Sequence, residues 1–121
     1  PLGIEVNFGT AKKDGRNKYL LPILVRIPFD GLTLLPNGDV VEGKVSIFVI
    51  VKDEEHGISD LKKIPYPIRV PHDQLDAAEG REVGYRTVLR IRSGTPRVAV
   101  GVWDELSGIE SFVHKRVRVG S

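Results

Sequence analysis

A chain of 121 residues, 40% apolar and 28% charged, is long enough for one domain with a buried core and too apolar to remain disordered. Its net charge of +2 is too small an excess to call for nucleic acid or an anionic membrane surface, and the absence of cysteine excludes disulfides and thiolate metal sites. The longest apolar run, Ile47 to Val51, is far shorter than a membrane span, so membrane insertion is not expected.

Seven stretches show strand character. The first, residues 3–8, sets Ile4, Val6 and Phe8 on one face, and the basic stretch from Lys12 to Arg16 reads as a turn. The second, residues 18–29, alternates Tyr19, Leu21, Ile23, Val25, Ile27 and Phe29. Pro22 and Pro28 within it each remove a ladder donor, which predicts an edge strand or a bulge. Residues 30–42 read as a connection turning at Pro36-Asn37-Gly38-Asp39, with Leu32, Leu34 and Leu35 tucked under a sheet edge. The third strand covers residues 43–52 and the fourth 61–70, where Pro65 and Pro67 predict an edge. Residues 71–80 form the one helical stretch, with Asp73 and Asp76 near its start and Gly80 as its stop. The fifth strand, 83–92, turns Tyr85, Thr87, Leu89 and Ile91 to one face and Arg86, Val88, Arg90 and Arg92 to the other. The sixth and seventh strands cover 97–103 and 109–119.

Two parts of this series repeat. Residues 46–60 align without a gap on residues 97–111, an offset of 51. Each copy is an alternating β-branched run that stops at Val-x-Asp-Glu, turns through x-x-Gly and restarts with Ile. The glycine supplies the left-handed residue that a hairpin loop needs. The chain thus carries two copies of one β-hairpin. The expected fold is an all-β two-sheet sandwich of immunoglobulin or fibronectin type III character, about seven strands and one short helix in a single domain. The chain opens on Pro1 without a leader, and we expect it to be a piece of a longer polypeptide.

The stretch Arg26 to Asp39, then Val45 to Asp53, then Arg97 to Gly108 resembles the C-terminal β-sandwich region of bacterial proteins that carry a von Willebrand factor A-like domain. The likeness runs from about Tyr19 to Val119 and rests on strand and turn patterns rather than reactive residues. It implies an exported protein, periplasmic or extracellular, whose von Willebrand-type domain lies upstream. The metal-dependent adhesion motif of that domain, Asp-x-Ser-x-Ser, does not occur in this chain, so no metal site carries over.

Reactive groups give no constellation. Asp53, Glu54, Glu55 and Asp60, and separately Asp104, Glu105 and Glu110, lack calcium-loop spacing and read as turn formers. If the strands preceding the two hairpins are antiparallel neighbours, the hairpins leave from opposite ends and these acids cannot pool. His56, His72 and His114 fall in separate elements with no zinc spacing. No serine sits in a nucleophile elbow and no glycine-rich loop has phosphate-binding spacing, so neither a catalytic residue nor a cofactor is expected. Arg86, Arg90 and Arg92, like Arg116 and Arg118, share strand faces without interleaved aromatics, which argues against single-stranded nucleic acid.

The anomaly is a strand face. Phe48 and Ile50 make the third strand apolar on both sides, and Ala99, Gly101 and Trp103 do the same for the sixth. A sandwich sheet in water should be polar outside. If the two strands are neighbours, these five residues form a patch needing a cover. That cover is either internal, from the 32–35 loop or the 75–78 helix, or it is a docked partner. We expect a non-enzymatic module contacting an adjacent domain or another protein. A carbohydrate-binding module, with Trp103 in its platform, is the alternative.

Overall fold

The computed structural model describes residues 2–53, 57–78 and 80–120, and for residues 58–60 the backbone only. It is an all-β sandwich of two antiparallel sheets. Sheet A contains β1 (Glu5–Phe8), β2 (Lys12–Lys13), β3 (Lys18–Pro28) and β7 (Glu82–Arg92). Sheet B contains β4 (Leu35–Asn37), β5 (Val40–Asp53), β6 (Gly57–Pro71), β8 (Arg97–Asp104) and β9 (Glu110–Arg116). A 3-10 turn at His72–Gln74 leads into α1 (Leu75–Ala78), the one α-helix among the described residues, in the connection from β6 to β7.

β3 is not the edge or bulged strand that its prolines predict. It lies in the middle of sheet A, with β7 on one side and β1 and β2 in succession on the other, and no register shift interrupts its pairing with β7. The reason is local. The Pro22 carbonyl accepts a 2.8 Å hydrogen bond from the Gly9 N–H, so the donor-less nitrogen of Pro22 faces the same side, where β1 has ended and β2 has not begun. Pro28 is the last residue of its strand, where a missing donor costs little.

Two short strands also escape the alternation pattern. Lys12 and Lys13, expected in a turn, pair with Leu20 and Tyr19. The turn lies just beyond them, at Gly15 and Asn17, both left-handed with φ of 95° and 57°. Leu35–Asn37, expected within a connection, pairs with the start of β5 through a turn at Gly38. The fourth strand begins at Gly57 rather than Leu61, and the last ends at Arg116, beyond which Val119 bridges to Gly94.

β6 is an edge, as Pro65 and Pro67 predict, since among the described residues it pairs with β5 alone. The two repeated hairpins are β5–β6 and β8–β9, and they lie side by side through antiparallel pairing of β5 with β8. Their registers obey the repeat. Moving the pair Ile47–Ile64 forward by the offset of 51 gives Val98–Lys115, which is also a pair. Val49 lies directly opposite Val100, its own repeat equivalent, so a local two-fold axis passes between them. The hairpin loops therefore leave from opposite ends of the sheet.

The core fills the space between the inner faces. Leu21, Ile23, Val25 and Ile27 of β3 meet Val45, Ile47 and Val49 of β5 and Val98, Val100 and Val102 of β8, all essentially inaccessible to water. Leu2 and Val119, outside every strand, are buried with them. Leu32 and Leu34 pack against this core, whereas Leu35 stays half exposed. A Cβ at Gly43 would come within 2.8 Å of the Leu34 side chain, so glycine makes room for this leucine on the inner face of β5.

Candidate functional site

The five residues of the apolar patch share one face of sheet B. Phe48 lies opposite Gly101, Ile50 opposite Ala99, and Ser46 opposite Trp103. The pairing extends the patch across the four strands of the two repeated hairpins. Lys63 of β6, Phe48, Gly101 and Phe112 of β9 form one row, and Leu61, Ile50, Ala99 and His114 form the next. Leu61 is 59% exposed and Phe112 45% exposed, while Phe48, Ile50, Ala99 and Trp103 are partly buried. A third row, Lys52, Arg97 and Arg116, gives the face a basic border.

Neither internal cover lies over this face. Leu32 and Leu34, like Leu75 and Ala78 of the helix, pack against the core between the sheets. The local cover comes from the face itself. A Cβ built on Gly101 would collide with the ring of Phe112, so glycine is what leaves room for this ring over β8. The ammonium of Lys63 sits 5.8 Å from the Phe48 ring centre and 5.9 Å from that of Trp103, a cation–π arrangement bridging both rings. Along the same sheet, an open cleft of about 850 Å³ is lined by Leu35, Pro65, Pro67, Arg69 and Leu106 among others.

Phe112, Leu61 and Lys63 belong to this surface, although alternation within β5 and β8 did not reveal them. The signal was available in the repeat. Leu61 and Phe112 are equivalent under the offset of 51, and each flanks an equivalent residue, Ile50 or Gly101.

The acidic hairpins separate as expected for antiparallel neighbours. Asp104 pairs with Val45, in the first half of β5, while Asp53 lies at the far end of that strand. Asp104 is fully buried and shapes its turn, accepting hydrogen bonds at Oδ1 from the N–H groups of Leu106 and Ser107, at 3.0 and 3.4 Å. Its Oδ2 accepts from the Thr33 N–H at 2.8 Å, which fastens the 32–34 segment to the hairpin. Glu54, Glu55 and His56 lie outside the described residues, as does the side chain of Asp60.

His72 and His114 are exposed in separate elements, and no group of three or more metal-ligating side chains occurs among the described residues. Arg86, Arg90 and Arg92 lie exposed on sheet A, away from the aromatic face, whereas Arg116 borders that face. Compared with protein-family models, with curated proteins and with solved structures, the chain matches none.

Proposed function

We propose that this domain is a non-enzymatic sandwich module, of immunoglobulin or fibronectin type III character, that docks through the outer face of sheet B onto an adjacent domain or another protein. The observation carrying this reading is a patch built from Phe48, Ile50, Ala99, Gly101 and Trp103, extended by Leu61 and Phe112, while both candidate internal covers pack elsewhere. Contiguous apolar surface of this kind marks interaction sites. Aromatic residues at its centre and cations at its border match the composition of docking surfaces. The resemblance to sandwich regions of bacterial von Willebrand factor A-related proteins adds an exported setting to the proposal.

A carbohydrate platform is the second reading, because Phe48, Trp103 and Phe112 share the face. Lys63 weakens it by standing over the ring faces of Phe48 and Trp103 on which a sugar would stack. Hydroxyl-radical footprinting separates the readings. Phe48, Trp103 and Phe112 should be oxidised less in the protein within its native host than in the isolated domain, and adding polysaccharide to the domain should not reproduce that protection. Equal oxidation in the two forms would contradict docking.

A further inference from the structure

Beyond the docking face, a second surface lies along the edge of sheet A. The Arg81 carbonyl accepts from the Phe29 N–H, and the Ser93 N–H donates to the Asn17 carbonyl, so odd-numbered residues of β7 bond toward β3. Glu82, Gly84, Arg86, Val88, Arg90 and Arg92 therefore direct their backbone donors and acceptors outward. β7 runs for 11 residues without proline or register shift, and among the described residues it pairs with β3 alone.

The neighbouring edge is closed by its sequence. β6 lies on the same side of the sandwich, where the Tyr66 and Tyr85 rings meet edge to face at 5.5 Å. The His72 N–H bonds to the Asp39 carbonyl, so odd-numbered residues in this part of β6 face outward. Three of them, Pro65, Pro67 and Pro71, have no N–H to offer. One edge is guarded and the other is open.

We propose that β7 binds a second copy of this chain, pairing antiparallel with its own β7 about a two-fold axis through Thr87, so that sheet A continues across the dimer. This register overlaps the whole strand. On the inner face it sets Val83 opposite Ile91, Tyr85 opposite Leu89, and Thr87 opposite itself. On the outer face it sets Arg86 opposite Val88, Gly84 opposite Arg90, and Glu82 opposite Arg92. Glu82 already meets Arg26 at 3.7 Å, so each end of the interface gains a cation beside an existing ion pair.

Charge selects this register over its neighbours. An axis at Val88 puts Arg86 against Arg90, and an axis at Leu89 puts Arg86 against Arg92. Axes at Arg86 or Arg90 set that arginine against itself, and an axis at Tyr85 loses both Glu82–Arg92 pairs. Like charges directly opposite destabilise a strand pair.

Sedimentation velocity across a concentration series tests the proposal. The chain should dimerise reversibly, and amides of Gly84, Arg86, Val88 and Arg90 should exchange more slowly as dimer forms. Val88→Pro removes an outward N–H without touching the β3 ladder, and should weaken the dimer roughly tenfold or more with an unchanged circular dichroism spectrum. Glu82→Arg and Arg92→Glu should each weaken it, and the two together should restore it, which keeps the test decisive even if Val88→Pro misfolds. A chain that stays monomeric throughout would overturn the proposal. So would a dimer indifferent to both the proline and the charge variants, or one lost on Phe112→Glu instead. No residue of the docking face enters this interface, so either proposal can fail without the other.

Discussion

Asp104 shows how much one buried carboxylate can organise. It is inaccessible to solvent, and three N–H groups converge on its oxygens, two from its own turn and one from distant Thr33. Replacing it with alanine leaves these donors without their acceptor, at a cost of about 3 kcal/mol. Asp104→Asn should cost roughly 2 kcal/mol, because one carboxylate oxygen becomes an amide that faces a donor. Urea denaturation measures both, and a loss below about 0.5 kcal/mol for alanine would contradict the assigned role. Gly101 makes a different residue-scale case. Gly101→Val must push aside the Phe112 ring, but that ring is 45% exposed and free to swing outward. We expect a loss of about 1 kcal/mol that largely disappears in a Phe112→Ala background. An undiminished loss there would place the obstruction somewhere other than the ring.

At the scale of elements, the local two-fold between the repeated hairpins makes Val49 and Val100 equivalent in position and burial. Val49→Ala and Val100→Ala should each cost about 1–3 kcal/mol, and a much smaller loss at one would show that the two-fold does not extend to packing. Much of this arrangement was legible in the sequence. The offset of 51 identified both hairpins, and their loop glycines, Gly57 and Gly108, adopt φ of 73° and 79°. The prolines of β6 marked an edge. The prolines of β3 did not mark an edge, because a proline forbids only the bond on its own side. The gap at Gly9 that accommodates Pro22 depends on a different strand. The reach of Asp104 to Thr33 across 71 residues was hidden for a related reason, since alternation reports faces and not neighbours. If the β6 prolines guard that edge, Pro65→Thr combined with Pro67→Thr should leave stability within about 1 kcal/mol while increasing concentration-dependent light scattering.

For the whole molecule, two sheets and one short helix predict a circular dichroism spectrum dominated by β-structure, with at most two turns of helix. A third or more helix would contradict the fold. The apolar content of the candidate site was visible as strands polar on neither face, but its extent across four strands required the register. That extent makes the outer face of sheet B a surface rather than a few misplaced side chains. The most direct measurement of its role places a photo-crosslinking amino acid at Phe112 in the protein made in its native host. Exposed Thr95, in a loop off this face, serves as the control position. Docking through this face predicts a discrete protein adduct, or an internal crosslink to an adjacent domain, from position 112 and none from 95. Crosslinking to polysaccharide alone, equal adducts from both positions, or no adduct from 112 would contradict docking through this face.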